Sequence, residues 1–355
     1  MTSQPDLPIR LTNALDLAYT HASYTWQNHL TEAYISPSSL LFVDNDHFVA
    51  GAKDTLAVFN IHNQDAPIHE FATRKGRKAR KLYGADAAGI GGIVSSLALS
   101  TDNILAAGTY NRQVGLFENA GQGESMAAFD LSYNDADDRL LKGNGVSQLA
   151  WSPCGNYLFV AERQSDALLV YDIRHTGQRL SYLSGRKAHT TLKLSFDLAS
   201  DAYGKIDIWA GGTDGNVRVW RDVTSREGRI EPDFTLHASN GKHYPITLTV
   251  LPMLTANTAA VSNTILSRRE PMLITTSGQR RSPSDLVGLD DSSSDSDSDS
   301  SEDGSDSEAS ESDGEDEQAK VQDETLASGT ASGVAVEQSW REPAFDNVLS
   351  FWHIL

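Results

Sequence analysis

The most concentrated set of side chains with a potential chemical role is basic. Residues 73–84 read TRKGRKARKLYG, and six of the eight residues from 74 to 81 are Lys or Arg. Such a cluster attracts phosphate groups without base preference, and the same composition serves as a nuclear localisation signal. RNA contact, a localisation signal and a solvated loop all stay open for this basic segment. Its charged residues are Arg74, Lys75, Arg77, Lys78, Arg80 and Lys81.

A second charged segment is acidic and rich in serine. Residues 290–317 hold fourteen Asp and Glu but no Lys or Arg, so without this acidic tract the chain's 48 acidic and 29 basic residues become 34 and 29. A segment of this composition cannot bury apolar surface, and we expect it to be disordered. Its serines precede acidic residues, as acid-directed kinases prefer; a plain solvated spacer is the alternative. The phosphorylation candidates are Ser292, Ser294, Ser296 and Ser300.

Signs of catalysis or of metal binding are weak. The ten histidines and the single Cys154 show no metal-ligand spacing, and no Ser, His and Asp residues form a local catalytic grouping. The glycine-rich residues 84–92 precede a strand pattern instead of a helix, so they lack the geometry of a phosphate-binding loop. We therefore expect no enzyme activity, no catalytic residue, no metal, no cofactor and no small-molecule substrate.

Targeting signals are also weak. The first ten residues lack the basic start and apolar run of a signal peptide, and no apolar stretch approaches the roughly 20 residues of a membrane span. A single cysteine excludes an intrachain disulfide and fits a reducing compartment. These features fit the nucleus or the cytoplasm, and we expect no membrane partner.

The elements that position these residues come from an internal repeat. Each copy reads as a strand, a polar turn, a strand of small residues, a second turn, and a β-branched strand that ends in an aromatic residue; the copies are residues 40–61, 93–118, 146–174 and 192–222. The closing aromatics, at spacings of 58, 54 and 49 residues, are Phe59, Phe117, Tyr171 and Trp220. WD repeats have a period of about 40–45 residues, so these copies resemble WD repeats with long loops. Because one such sheet cannot bury both faces, the repeat predicts a propeller of stacked sheets.

A fifth copy is split by the acidic tract. We assign its strands to residues 245–252, 271–280 and 347–354. The sequence thus predicts an all-β WD-repeat β-propeller of about five blades, with a disordered acidic insertion in the last blade and with ring closure left open. A strand near residues 9–19 is a candidate for the missing fourth strand of that blade. The expected domains are a partly disordered N-terminal segment 1–30, propeller blades 31–281, the disordered insertion 282–339 and a final strand 340–355.

In this register the basic segment follows a fourth strand near residues 69–72 and leads into the next blade. Four more basic residues fall in turns on the same face, namely Arg112, Arg163, Arg186 and Lys187. We include them in the expected RNA-binding set. In the fourth blade, His189, Asp214 and Trp220 match the internal hydrogen-bond set of a WD blade, a structural role.

One short motif supports a different function. Residues 171–174 read YDIR, which resembles the Trp-Asp-x-Arg motif of substrate receptors of cullin-RING ubiquitin ligases. The matching residues are Tyr171, Asp172 and Arg174. Asp172 also fits ordinary blade structure. A protein–protein adaptor, with or without a ligase role, is therefore the alternative to an RNA-binding scaffold.

The chain from about residue 23 to its C-terminus resembles the telomerase Cajal body protein family, WD-repeat proteins that bind small nuclear RNAs. The matching segments are residues 89–100, 108–118, 145–174, 194–200, 211–220, 275–280 and 348–354. The resemblance, which extends to fungal members, implies a propeller scaffold in the nucleus or Cajal body. Its partners would be a small nuclear RNA of the splicing or telomerase type, ribonucleoprotein proteins, and other proteins bound through the propeller faces. Members of the family carry further blades before the segment that matches residues 40–61, and only a short segment precedes it here.

Overall fold

The computed structural model describes residues 1–13, 15–16, 18–74, 89–131, 141–175, 177–237, 261–266, 272–277 and 348–353. Most of the described chain is β-structure. Its first element is an antiparallel hairpin of β1 (Ile9–Thr12) and β2 (Thr20–Tyr24). Within the described residues, no helix has the length and apolar character needed to cross a membrane.

Four antiparallel sheets of four consecutive or nearly consecutive strands follow the hairpin. Sheet one comprises β3 (Ser39–Phe42), β4 (His47–Ala52), β5 (Thr55–Asn60) and β6 (His69–Ala72). Sheet two comprises β7 (Val94–Leu99), β8 (Leu105–Thr109), β9 (Gln113–Phe117) and β10 (Ser125–Asp130). Sheet three begins with β11 (Val146–Trp151), β12 (Tyr157–Glu162), β13 (Leu168–Asp172) and β14 (Arg179–Leu183). Sheet four comprises β15 (Phe196–Ser200), β16 (Ile206–Gly211), β17 (Asn216–Trp220) and β19 (Phe234–His237).

A fifth strand completes sheet three. Strand β18 (Gly228–Ile230) leaves the segment between β17 and β19 and pairs in parallel with β14. The backbone N–H and the hydroxyl of Ser184 both donate to the carbonyl of Ile230, at 2.8 and 3.2 Å. The outer edge of sheet three is therefore covered by a strand that belongs to the next repeat in sequence.

The aromatic register predicted from the sequence is confirmed. In each of the four sheets, the small residue of the second strand pairs with a third-strand residue that lies three positions before the aromatic. The pairs are Gly51 with Leu56, Gly108 with Val114, Ala161 with Leu168 and Gly211 with Val217. The aromatics thus occupy equivalent positions on the third strands.

The small residues are required by the next sheet. A methyl group added to Gly51, Gly108 or Gly211 would lie 2.5–2.7 Å from a side-chain atom of the valine that faces it. These valines are Val94, Val146 and Val261, at or near the start of the first strands of sheets two, three and five. Consecutive sheets therefore pack at a distance that excludes larger side chains at these positions.

The hydrophobic core lies between consecutive sheets. Val49 and Val58 of sheet one pack with Leu105 and Phe117 of sheet two, and equivalent clusters join sheets two and three, three and four, and four and five. Full burial of such a side chain contributes about 1.5–3 kcal/mol. Because sheets two, three and four contribute both of their faces to such layers, the fold is an all-β WD-repeat propeller.

The fifth sheet differs in part from the sequence assignment. Its first strand is β20 (Val261–Leu266), whereas residues 245–252 lie outside the described residues. Side chains of sheet four hold β20 in place, because Thr264 N–H donates to Ser195 Oγ at 3.1 Å and Leu266 N–H donates to Asp197 Oδ2 at 2.7 Å. Such long-range contacts leave no local pattern in the sequence.

The other two strands of the fifth sheet agree with the assignment. They are β21 (Met272–Ser277) and β22 (Val348–His353), which pair antiparallel from Ser277↔Val348 to Met272↔His353. The acidic tract is thus part of an insertion between two paired strands. Residues 280–345 lie outside the described residues, so the disorder expected for the insertion stays a prediction.

The N-terminal hairpin has a different place from the one expected for residues 9–19. In the described residues β1 pairs with β2 and not with the last sheet. Ile9, Tyr24 and Trp26 are buried against Phe48 and Phe59 of sheet one. The hairpin therefore lies where it covers the aromatic face of sheet one, and not where it would extend the last sheet.

Candidate functional site

The two ends of the strands form two faces of the propeller. We call upper the face that carries the turns between second and third strands, at residues 53–54, 110–112, 163–167 and 212–215. Because neighbouring strands are antiparallel, the segments that lead into each following sheet also lie on this upper face. The lower face carries the turns between first and second strands.

Arg74, at the start of the basic segment, and Gly89, beyond its end, lie on the upper face. Arg74 and Gly89 form an antiparallel β-bridge, and Ile90 N–H donates to the Thr73 carbonyl at 3.0 Å. Thr73 N–H in turn donates to the carbonyl of Asp54, at 2.9 Å, in the upper turn of sheet one. Arg74 is exposed at this base. The remaining predicted contacts lie outside the described residues, namely Lys75, Arg77, Lys78, Arg80 and Lys81.

Arg112 joins two sheets across the upper face. Its Nε and Nη2 donate to Oε1 and Oε2 of Glu162 at 2.7 and 3.2 Å. The Glu162 side chain is only 1 % exposed, so this bidentate ion pair is largely shielded from water. Arg112 therefore has a structural partner in sheet three, and the carboxylate of Glu162 offsets its positive charge.

Two further predicted contacts on the upper face are the half-buried Arg163 and the exposed Lys187. The guanidinium of Arg163 lies over the ring of Tyr110, with its central carbon 4.4 Å from the ring centroid. Such stacking orients the guanidinium. Lys187 is 65 % exposed, and its Nζ lies 3.6 Å from Oδ2 of Asp214. Together with Arg74 they place three cations on the upper face.

Arg186 has a different environment from the one expected of a surface contact. It is 1 % exposed and donates to the carbonyls of Leu194, Gly211 and Ser195 at 2.7, 3.2 and 3.2 Å. Burial lowers the pKa of its guanidinium to about 10, so the group stays charged near neutral pH. These contacts give Arg186 a structural role in place of RNA contact.

The expected hydrogen-bond set of His189, Asp214 and Trp220 does not form in the described residues. His189 is exposed, and the buried Trp220 Nε1 has no hydrogen-bond acceptor there. Asp214 instead accepts from Arg218, at 3.0 Å for Nη1–Oδ1 and 2.5 Å for Nη2–Oδ2, and from Asn216 Nδ2 at 2.9 Å.

The ion pair with Arg218 changes the pKa of Asp214. Partial burial acts to raise the pKa of Asp214, but hydrogen bonds from Arg218 and Asn216 outweigh it and lower the pKa to about 2. Sequence reasoning missed Arg218, although its position in a β-branched strand four residues after Asp214 was a visible signal. A charged residue inside such a strand requires a buried partner.

The YDIR residues lie on the lower face. Tyr171 is buried, whereas Arg174 is 59 % exposed and donates from Nε and Nη2 to Asp172 at 2.9 and 2.6 Å. The hydrogen bond from Arg174 lowers the pKa of Asp172, and Asp172 raises the pKa of Arg174. The structure thus presents a pre-oriented arginine at the end of the third strand. The candidate phosphorylation sites Ser292, Ser294, Ser296 and Ser300 lie outside the described residues.

Two solved structures align with part of this chain. One is a chain of the crystal structure of the mitotic checkpoint complex, with a TM-score of 0.45 and 13 % identity over 69 % of this chain and 58 % of that chain. The other is the computationally designed Ika8 protein, with a TM-score of 0.44 and 16 % identity over 77 % and 63 %. No protein-family model matches the sequence.

Curated relatives align over most of this chain. Guanine nucleotide-binding protein negative regulator 1 of Schizosaccharomyces pombe is 28 % identical over 265 residues, 70 % of this chain and 58 % of that protein. Telomerase Cajal body protein 1 of Mesocricetus auratus is 28 % identical over 302 residues, 83 % and 47 %. The Mus musculus protein of the same name is 28 % identical over 291 residues, 79 % and 45 %. The chain spans about half the length of these relatives. The resemblance expected from the sequence is therefore confirmed, and the chain is similar to the telomerase Cajal body protein family.

Proposed function

We propose that this chain is a non-enzymatic WD-repeat scaffold that binds a small nuclear RNA, or its ribonucleoprotein, and assists its assembly or trafficking. The names of two of these relatives connect them to telomerase and to Cajal bodies, which favours a nuclear ribonucleoprotein over other partners. The RNA-binding surface that we assign is the upper face.

The observation that carries this proposal is the anchoring of the basic segment. The bridge between Arg74 and Gly89 lies beside the upper turn of sheet one, which supports a position of the segment on this face. Lys187 and Arg163 add cations on the same face. Phosphates are attracted by the summed charge, so a concentrated set of cations on one face favours a polyanion there.

The test replaces Arg74, Lys75, Arg77, Lys78, Arg80 and Lys81 by alanine. We expect RNA affinity to fall strongly at low salt, because each phosphate contact contributes about 0.7 to the log–log salt slope on single-stranded RNA. The melting temperature should stay the same, since the backbone bonds at the base do not depend on these side chains. Binding is measured by fluorescence anisotropy over a salt series.

The control removes two cations from other surfaces. Lys205 lies in a lower turn of sheet four and Arg226 in the loop after β17, and the K205A/R226A variant should keep the RNA affinity of the parent chain. Equal RNA binding by the six-alanine variant and the parent would contradict the RNA assignment. Loss of nuclear accumulation in cells with unchanged RNA binding would assign the segment to localisation instead.

A protein–protein adaptor, with a cullin-RING ligase as one partner, is the second candidate function. The observation in its favour is the exposed Arg174, held by Asp172 at the end of the third strand. Capture of a ligase adaptor by the parent chain but not by Arg174→Ala would support it. Phosphorylation at Ser292, Ser294, Ser296 and Ser300 would regulate either function by adding negative charge.

A further inference from the structure

The first strands of the five sheets surround a cavity of about 570 Å³. Its wall includes Ser39, Ser96, Gln148, Ser195 and Thr264, one residue from each repeat. The volume falls within the range of small-ligand sites, about 300–1,000 Å³. Hydroxyl groups dominate this wall, so a ligand here would be recognised through hydrogen bonds.

Some of the polar groups in the wall already form hydrogen bonds within the protein. The hydroxyl of Ser39 donates to the Val94 carbonyl at 2.8 Å, and that of Ser95 donates to the Val146 carbonyl at 2.6 Å. The Gln148 amide donates to the Phe196 carbonyl at 2.8 Å and accepts from its N–H at 3.0 Å. These bonds hold neighbouring first strands together and offer little to a ligand.

Three other hydroxyls keep a proton to donate. Ser96 Oγ accepts from Leu149 N–H at 2.9 Å and Ser195 Oγ accepts from Thr264 N–H at 3.1 Å, so in both cases the hydroxyl hydrogen is left for another partner. Thr264 is 1 % exposed, and its Oγ1 has no hydrogen-bond partner among the described residues. A buried hydroxyl without a partner costs free energy, which a ligand would recover.

Two charged residues complete the wall. Lys193, Ser195 and Asp197 alternate along the chain that enters β15, and all three line the cavity. Lys193 is exposed and makes no ion pair within the described residues. The oxygens of Asp197 accept from Leu198 N–H at 2.8 Å and from Leu266 N–H at 2.7 Å, and each oxygen keeps a further lone pair.

We propose that this cavity takes one ribonucleotide of the RNA bound on the upper face. Lys193 precedes the first strand of its sheet and so lies toward the upper face, where it meets a phosphate together with the hydroxyls of Ser96 and Ser195. Asp197 accepts a hydrogen bond from the ribose 2′-hydroxyl, the group that distinguishes RNA from DNA. This inference rests on the proposed RNA-binding function and names the part of the surface that selects RNA.

The test compares an RNA oligonucleotide with the DNA of the same sequence. The parent chain should bind the RNA more tightly, and Asp197→Asn should reduce the RNA-to-DNA affinity ratio about tenfold, because the hydrogen bond from the 2′-hydroxyl to a charged carboxylate becomes a weaker bond to a neutral amide oxygen. Lys193→Ala should weaken both nucleic acids equally, since both carry the phosphate. Lys205→Ala, on the lower face, is the matched control and should change neither affinity.

The outcomes separate this inference from the proposed function. RNA binding with an unchanged RNA-to-DNA ratio in Asp197→Asn, at an unchanged melting temperature, would overturn the inference and leave the function standing. If Asp197→Asn unfolds, equal RNA and DNA binding by the parent chain overturns the inference. If the parent chain binds no RNA, the function fails, and calorimetry with ribonucleoside 5′-monophosphates tests the cavity alone. Binding that Lys193→Ala abolishes would then support the cavity site, and no binding would overturn it.

Discussion

Arginine side chains with the same charge take three different roles in this protein. Arg112 forms a shielded ion pair with Glu162, Arg186 is buried among backbone carbonyls, and Arg163 stacks on Tyr110. The difference arises from the polar groups that each side chain meets in a neighbouring sheet. Charge in the sequence therefore identifies candidates for phosphate contact, and the surrounding sheets decide which of them face the solvent.

At this scale the sharpest prediction concerns Arg112. Arg112→Ala leaves the Glu162 carboxylate buried without its bidentate partner, and we expect a loss of about 3 kcal/mol in the free energy of unfolding. Urea denaturation measures the loss. Arg174→Ala is the control, because its ion pair with Asp172 is exposed and should contribute at most about 1 kcal/mol. A loss at Arg112 no larger than the loss at Arg174 would show that the shielded pair is not an important link between the sheets.

The register of the strands is the feature that sequence reasoning predicted best. The aromatics and the small residues repeat with local spacing, so the third strands and the tight positions at Gly51, Gly108 and Gly211 could be predicted without a structure. The first strand of the fifth sheet could not. Its place depends on hydrogen bonds that its backbone donates to Ser195 and Asp197, which are about seventy residues earlier in the chain.

The tight contact between sheets leads to a prediction at the scale of the strand. Gly108→Ala would place a methyl group 2.5 Å from Val146 Cγ1, and we expect a loss of about 1–3 kcal/mol from overpacking. The double variant Gly108→Ala with Val146→Ala should recover part of this loss, because the contacting methyl groups are removed. Thermal unfolding of the four members of this cycle measures the coupling. Additive losses would contradict the proposed contact.

The candidate site was predicted less completely than the fold. The position of Arg74 on the upper face followed from the repeat register. The Asp214–Arg218 pair and the burial of Arg186 did not, because each depends on which groups meet after the sheets have packed. The cavity among the first strands has no sequence signature either, since every repeat contributes only a few of its wall residues.

For the whole molecule, the acidic insertion should be separable from the propeller. Ser277 and Val348 lie opposite each other in paired strands, so a short connection can replace residues 282–337. We expect the melting temperature to change by no more than a few degrees, because loop closure entropy varies only logarithmically with length. A larger decrease would show that the insertion supports the fold.

The same deletion tests how the two charged segments interact. The acidic tract carries fourteen negative charges and can compete with RNA for the basic segment. Removing it should tighten RNA binding at low salt and have little effect at high salt, where the competition is screened. A variant with the tract replaced by a neutral Gly/Ser segment of equal length is the control for length. Equal affinities at low salt would show that the tract and the RNA site do not compete.

The parallel strand at the edge of sheet three has a consequence for the order of synthesis. Strand β18 pairs with β14 but lies after β17, so the ribosome makes three strands of the following repeat before sheet three can be completed. Sheets one and two pair only strands that are neighbours in sequence, and each can form as soon as its own last strand is released. A nascent chain that ends at Leu183 would therefore expose the backbone edge of β14. This interval during translation is the stage at which we expect the chain to depend most on a chaperone.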